Sequence, residues 1–300
     1  MENYIEFTTK NNVNAVKIQD IPYFDIFKSF DCGQCFRFDE VSIFGNRCEF
    51  GGVAFGKYVV FAQNHPNEII IYNATYEDYI DIWKRFLALD VDYDTINSDI
   101  IKALNHSHMK KSVEHGYGIR ILRQDRWEAI CSFIISQNNN IPRIKKIVAS
   151  MCEKYGQSVD FLGKSYYSFP SPSVLLSAGV DGIFALKTGF RAKYIIDACE
   201  KILSGELDLD KIYLEADYNV CLDSLCKIKG VGLKVASCAL LFGFEKTEAF
   251  PIDVWIKRVI DNRFDGKIDI LALGKNAGIA QQYLFYYERY ISSALNGTTD

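Results

Sequence analysis

Between Leu225 and Asp253 the chain reads LCKIKGVGLKVASCALLFGFEKTEAFPID, and this stretch limits the possible folds more than any other. An apolar run ends in Lys229-Gly230-Val231-Gly232. A second apolar run begins with Lys234 in its first turn, and Pro251-Ile252-Asp253 then leads into a further amphipathic segment. The spacing predicts helix, glycine hairpin, helix, with an amine at one helix start and a carboxylate at the next. Gly230 and Gly232 permit positive φ and let another backbone come close. Successive amides in such a turn face outward as an anion nest, and the positive end of the following helix adds to it.

Lys234 has a plain reading, a surface lysine in a first turn, although a cation there opposes the helix dipole. The chemical reading is a nucleophilic amine. A free lysine has a pKa near 10.4, so a neutral amine at ~7–8 requires about 4 kcal/mol. The helix dipole supplies only ~0.3–1 kcal/mol of that. Desolvation must therefore do most of the work, and Leu233, Val235 and Cys238 are the apolar candidates to provide it. Asp253 reads as an N-cap. A capping carboxylate can also stabilise positive charge on a sugar, and the two roles are compatible.

The 300 residues predict about two domains, and 49% hydrophobic with 24% charged residues is ordinary for a globular chain with a real core. The apolar run Val235 to Phe244 is interrupted by Gly243 and is too short to span a bilayer, so no membrane association is expected. Glu2 and Glu6 flank the start, which does not match a signal peptide. A cytoplasmic location is expected, nucleoid-associated in a prokaryote and nuclear in a eukaryote. The nine cysteines then read as reduced core thiols, with Cys131, Cys152 and Cys238 on apolar helical faces. Cys32-Gly-Gln-Cys35 lacks a second pair, and no cysteine follows Cys238, so neither a structural metal nor an iron–sulfur cluster is expected. The net charge of −4 argues mildly against nucleic acid, but a local footprint matters more. Lys102 to Lys154 holds ten Lys/Arg against four Asp/Glu, a local +6. That segment is either a DNA-facing surface or simply a solvated basic face.

The first third reads as strands: Cys35 to Asp39 by alternation, Val53 to Ala62 around a glycine turn, and Ile69 to Tyr72. A helix is expected at about Tyr76 to Leu89. From about residue 119 the pattern turns helical. Asp125-Arg-Trp-Glu128 predicts a capping box, with Trp127, Ile130, Cys131, Ile134 and Ile135 on one face. Asn138-Asn139-Asn140 breaks that helix, Pro142 opens the next, and Gly156 ends it. Ser171-Pro172 and Gly189-Phe190-Arg191 precede two more helices, Gly205 stops the second, and a long one runs from about Asn276 to Leu295. The expected class is α+β: an antiparallel sheet domain over residues 1–115, then an all-α region over residues 116–300.

At these residues the chain resembles the helix-hairpin-helix DNA glycosylases with a Gly/Pro-rich loop and a trailing aspartate, and more narrowly their 8-oxoguanine glycosylase/AP lyase branch. The resemblance rests on Gly33-Gln34-Cys35-Phe36-Arg37, on Gly118 to Asp125 continuing to Ser136-Gln-Asn-Asn-Asn-Ile-Pro-Arg143, on Gly189-Phe190-Arg191, and on the hairpin through Asp253. Ala280-Gln281 with Phe285 is a weaker match. The resemblance implies a TBP-like twisted sheet, no organic cofactor, and double-stranded DNA containing 8-oxoguanine opposite cytosine as the partner of a monomer. It implies that Lys229, Gly230, Val231 and Gly232 hold a phosphate, with a monovalent cation on hairpin carbonyls. Lys234 would attack the sugar, form a Schiff base and nick the strand by β-elimination, with Asp253 stabilising the cationic sugar. The Gly33 carbonyl would accept the N7–H that guanine lacks, and Gln281 would read the Watson–Crick edge. Phe285 and Cys238 would sandwich the base, with Phe242 in the same pocket. Asn138, Arg143 and Arg191 would meet the estranged cytosine, and Phe190 would act as a wedge.

Two positions depart from the better-known members: Phe190 stands where they carry Tyr, and Trp255 where they place His. Two rival readings are an alkylated-base glycosylase of the same superfamily and a helix-hairpin-helix module that only binds DNA. Alkylated-base enzymes typically lack the hairpin lysine, so Lys234 argues against the first. The Lys234–Asp253 pair argues against the second.

Overall fold

The computed structural model describes residues 3–296. Six strands form one antiparallel sheet in the order β1-β2-β6-β5-β4-β3. They are β1 (Asn3–Thr8), β2 (Asn14–Gln19), β3 (Phe38–Glu40), β4 (Cys48–Ala54), β5 (Lys57–Gln63) and β6 (Glu68–Tyr72). The β4–β5 turn places Phe55 at φ +50° and Gly56 at φ +74°, the two positive values that match a hairpin's twist. Cys35 to Arg37 is not strand, contrary to its alternation; Cys35 and Phe36 are buried in a turn and only Phe38–Glu40 pairs with β4. β1 escaped the sequence reading because every one of its residues is exposed, so no burial pattern marks it.

The expected helix after β6 forms with a π-helical turn at Tyr79–Trp83 between Tyr76–Asp78 and Lys84–Phe86. Its Trp83 and Phe86 pack on Phe61, at 5.4 and 5.8 Å between ring centroids, and seal one face of the sheet. Tyr93, Ile100, Met109 and Val113, on the helices Tyr93–Ala103 and Ser107–Gly116, pack instead into the core of the helical layer.

The Arg126–Ser136 helix runs through the middle of that layer, with all residues from Trp127 to Ile135 buried. Asp125 caps it, but the second half of the expected capping box is absent: Glu128 is drawn away to pair with Arg37 at 3.4 Å. A burial-driven pair across 91 residues thus overrides a local one, and it fixes the Gly33–Arg37 turn to this helix. The Leu233–Gly243 helix lies against the same helix so closely that a Cβ on Gly243 would sit 2.8 Å from that of Ala129. Asn140 caps the Ile141–Tyr155 helix and Pro142 lies in its first turn, as the sequence predicts. Gly156 ends it at φ −79°, so that glycine is needed for space: a Cβ there would meet the Ser168 carbonyl at 2.0 Å. A small hairpin, β7 (Ser158–Phe161) and β8 (Lys164–Tyr167), interrupts the helical region. Its Phe161 and Tyr166 stack on Tyr58 of β5 at 4.7 and 3.8 Å, tying the two layers together. The last helix, Ala277–Asn296, is where the spacing puts it. No helix among the described residues is long and apolar enough to cross a membrane.

Candidate active site

The hairpin joins the helices Tyr218–Cys226 and Leu233–Gly243. Its two glycines do different things. Gly230 adopts φ +75°, and a Cβ on it would fall 2.3 Å from the Tyr194 ring. Gly232 is extended, at φ −103°, and open space surrounds the position of its missing Cβ. Only the first glycine is demanded by the fold; the second leaves room for something to approach. The Lys229 amide already donates to Asp197 at 2.7 Å, an interaction 32 residues apart that no local pattern announces. The amides of Gly230, Gly232, Leu233 and Lys234 make no hydrogen bond among the described residues. They are left open at the hairpin and at the start of the following helix. The Lys229 and Gly230 carbonyls likewise accept none among the described residues, which fits them as cation ligands.

Lys234 is half-buried one turn before Cys238, close enough for its charge to act on that thiol. Burial pushes that thiol up to about 11; the Lys234 charge pulls it down and the Asp253 carboxylate pushes it up. Cys238 therefore stands as a neutral thiol within electrostatic reach of both the amine and the acid. Val235 and Cys238 are buried as expected, but Leu233 is 66% exposed and cannot desolvate the amine. Asp253 caps the Val254–Arg263 helix by accepting from the Ile256 amide at 2.8 Å, which fixes its carboxylate at the helix start. Trp255 is half-buried, and the Arg258 guanidinium lies 5.4 Å from its ring centre, a cation–π contact.

Gly33 adopts φ +78°, and a Cβ on it would meet Ile141 at 3.2 Å and Phe285 at 3.4 Å. The turn thus faces the Phe285 ring and the start of the helix that follows the asparagine run. The Gly33 carbonyl accepts no hydrogen bond among the described residues. Gln281 lies one turn before Phe285 on the same helix face. It is buried, and its Oε1 has no partner among the described residues. An unsatisfied buried amide is costly, and a ligand edge would relieve it. Phe242 is buried in the core, with one face of its ring stacked on Phe133 at 5.2 Å.

Asn138 is exposed with φ +45°, and Arg143 is exposed beside it. Phe190 is 51% exposed and packs edge-on against Tyr194, the residue that touches Gly230. Phe190 and the hairpin thus share one support. Arg191 departs from expectation: it is 3% exposed and donates to the carbonyls of Gln137, Asn138 and Thr188. Its guanidinium holds the asparagine loop from within instead of standing free for a base.

The basic footprint is also smaller than its residue count. Arg120 is buried, Arg123 pairs with Asp90 and Glu245, Arg126 with Asp210, and Lys145 with Asp39.

Residues 16–130 match the family of the 8-oxoguanine DNA glycosylase N-terminal domain, and residues 131–266 match the HhH-GPD superfamily of base excision DNA repair proteins. The chain belongs to the 8-oxoguanine DNA glycosylase branch of the HhH-GPD superfamily. Clostridium acetobutylicum 8-oxoguanine glycosylase/lyase, solved with double-stranded DNA containing cytosine opposite 8-oxoguanine, is 35% identical, with a TM-score of 0.85 over 96% of this chain and 98% of that one. A structure of MBOgg1 in complex with a low-affinity DNA ligand is 36% identical, with a TM-score of 0.87 over 97% of this chain and 99% of that one. The N-glycosylase/DNA lyase of Saccharomyces cerevisiae is 30% identical over 246 residues, which cover 76% of this chain and 65% of that protein. Membership accounts for the pairing of a sheet layer with a hairpin-bearing helical layer in this glycosylase.

Proposed function

We propose that this chain is a bifunctional repair enzyme that excises 8-oxoguanine from duplex DNA and nicks the strand at the resulting site. The observation that carries this is Lys234: a half-buried amine in the first turn behind open hairpin amides, acting electrostatically on a buried neutral thiol that also feels the Asp253 carboxylate.

The nest amides of Gly230, Gly232 and Leu233 bind a backbone phosphate. A monovalent cation on the Lys229 and Gly230 carbonyls would add positive charge at that phosphate. The damaged nucleotide leaves the stack, at a cost of a few kcal/mol, and Phe190 fills the space it vacates. The unprotonated Lys234 Nζ forms a bond to C1′ as the C1′–N9 bond breaks, and the base departs with that electron pair and takes up a proton. Asp253 places negative charge beside the cationic sugar. Opening of the ring leaves an iminium between Nζ and C1′. Loss of a C2′ proton then feeds electrons into that iminium and expels the 3′ phosphate, and water finally releases the lysine.

Selectivity rests on the Gly33 carbonyl, which accepts from the lesion's N7–H and repels the bare N7 of guanine. Gln281 satisfies its amide on the Watson–Crick edge, and Phe285 stacks on the base. Asn138 and Arg143 face the orphaned cytosine, since asparagine and arginine suit base edges.

Incubation with an 8-oxoguanine·cytosine duplex and borohydride should leave a covalent protein–DNA adduct. Normal DNA binding without an adduct would sink the lyase step.

A further inference from the structure

Four consecutive carbonyls pass through the Gly33 turn. The Asp31 carbonyl accepts from Arg289 at 3.0 Å, the Cys32 carbonyl from Gln282 Nε2 at 2.7 Å, and the Gln34 carbonyl from Gln124 Nε2 at 2.7 Å. Only the Gly33 carbonyl among the four has no partner among the described residues. The Gln34 side chain, fully buried, donates to the Ser29 and Arg120 carbonyls at 2.8 Å and accepts from the Leu122 amide at 2.9 Å. The turn is therefore held on both sides of the one carbonyl left open.

The holding groups come from the helix that carries the pocket. Gln281 and Phe285 lie on one face of Ala277–Asn296, while Gln282 and Arg289, seven residues apart, lie on the adjoining face against the turn. Gln282 and Gln281 are neighbours, so the amide that fixes the carbonyl and the amide proposed to read the base share a backbone.

We infer that Gln282 is a specificity-determining positioning residue: it fixes the Gly33 carbonyl so that the carbonyl cannot turn away from an unprotonated N7. This rests on the proposed excision of 8-oxoguanine. Lesion and guanine differ at this contact by one proton. A carbonyl that can rotate gains less from N7–H and also escapes repulsion by bare N7, so both halves of the discrimination depend on its being held. Glycine alone would leave it free, because its backbone is the most permissive of all. The Gln282 and Gln124 clamps remove that freedom without touching the base.

The test uses Gln282→Met and, on the other side of the turn, Gln124→Met. Each keeps the side chain's approximate size and removes the donor. Single-turnover excision from an 8-oxoguanine·cytosine duplex is compared with strand nicking at a preformed abasic site, which has no base to read. Loss of one buried hydrogen bond predicts that excision falls about tenfold, with nicking at the abasic site unchanged. In a Lys234→Gln background, the ratio of affinities for 8-oxoguanine and guanine duplexes should narrow for both variants. Unchanged excision and an unchanged ratio would overturn the inference. Parallel loss of excision and abasic nicking in both variants would also overturn it, by reducing the glutamines to general structural supports. If the wild-type protein shows no preference for 8-oxoguanine, the functional proposal fails on its own, before any variant is compared.

Discussion

Arg191 Nη2 donates to the Asn138 carbonyl at 3.1 Å, reaching across 53 residues to a loop in the left-handed region. With further bonds to Gln137 and Thr188, this arginine acts as an internal strut. Arg191→Ala leaves those carbonyls without their donor and should lower stability by about 1–3 kcal/mol. It should also relax the preference for cytosine opposite the lesion, because Asn138 loses its support. In an Asn138→Ala background the same change should cost little further selectivity. A fully additive effect in that double-mutant cycle would mean that Arg191 meets the base itself.

Lys234 and Cys238 form the second pair of consequence. Lys234→Gln keeps a polar group of similar reach but removes the nucleophile. Borohydride trapping should vanish while affinity for a lesion duplex stays within about threefold, a loss of well under 1 kcal/mol. Electrophoresis of the trapped species together with a binding titration would check this. Persistent trapping would move the nucleophile to another amine.

The hairpin glycines should separate folding from binding. Gly230→Ala forces a Cβ into the Tyr194 ring and into an unfavourable backbone region, so it should destabilise the protein by at least ~1–2 kcal/mol. Gly232→Ala meets neither obstacle and should leave the melting temperature nearly unchanged. If a phosphate backbone approaches there, it should still weaken DNA binding. Calorimetry and affinity measured on both variants would distinguish the two roles. Equal loss of stability in both would refute the assignment.

Glu128 gives the fold a pH dependence. Burial pushes its carboxyl up to about 7, with the Arg37 guanidinium pulling the other way. The folded chain thus holds this proton more tightly than the unfolded one, whose ordinary value is 4.5. Its contribution to stability is full below that value and is lost as pH rises through about 7. Glu128→Gln cannot ionise, so its stability relative to wild type should increase between those two pH values. Parallel melting curves for the two proteins across that range would contradict the shift.

The sequence by itself carried the local features. Helix starts at Asp125, Asn140, Ser171 and Asp253 follow from short polar side chains capping the next few amides, an interaction contained within four residues. The hairpin, its amine and its acid were legible for the same reason, as were the β4–β5 turn and the long final helix. The resemblance added Gly33 and Gln281, which no periodicity could connect.

The tertiary structure decided what distant groups do to one another. Glu128 left its capping box because the nearly buried Arg37 guanidinium needs an acceptor more than the helix start does. Arg191 turned inward because the asparagine loop exposes carbonyls at the reach of its guanidinium. Phe242 joined the core because Phe133 lies across from it. Gly33 presents an open carbonyl because Gln282 and Gln124 occupy its neighbours. In each case the competing partners lie tens to hundreds of residues apart in the chain, so their spacing in sequence says nothing about which of them meet.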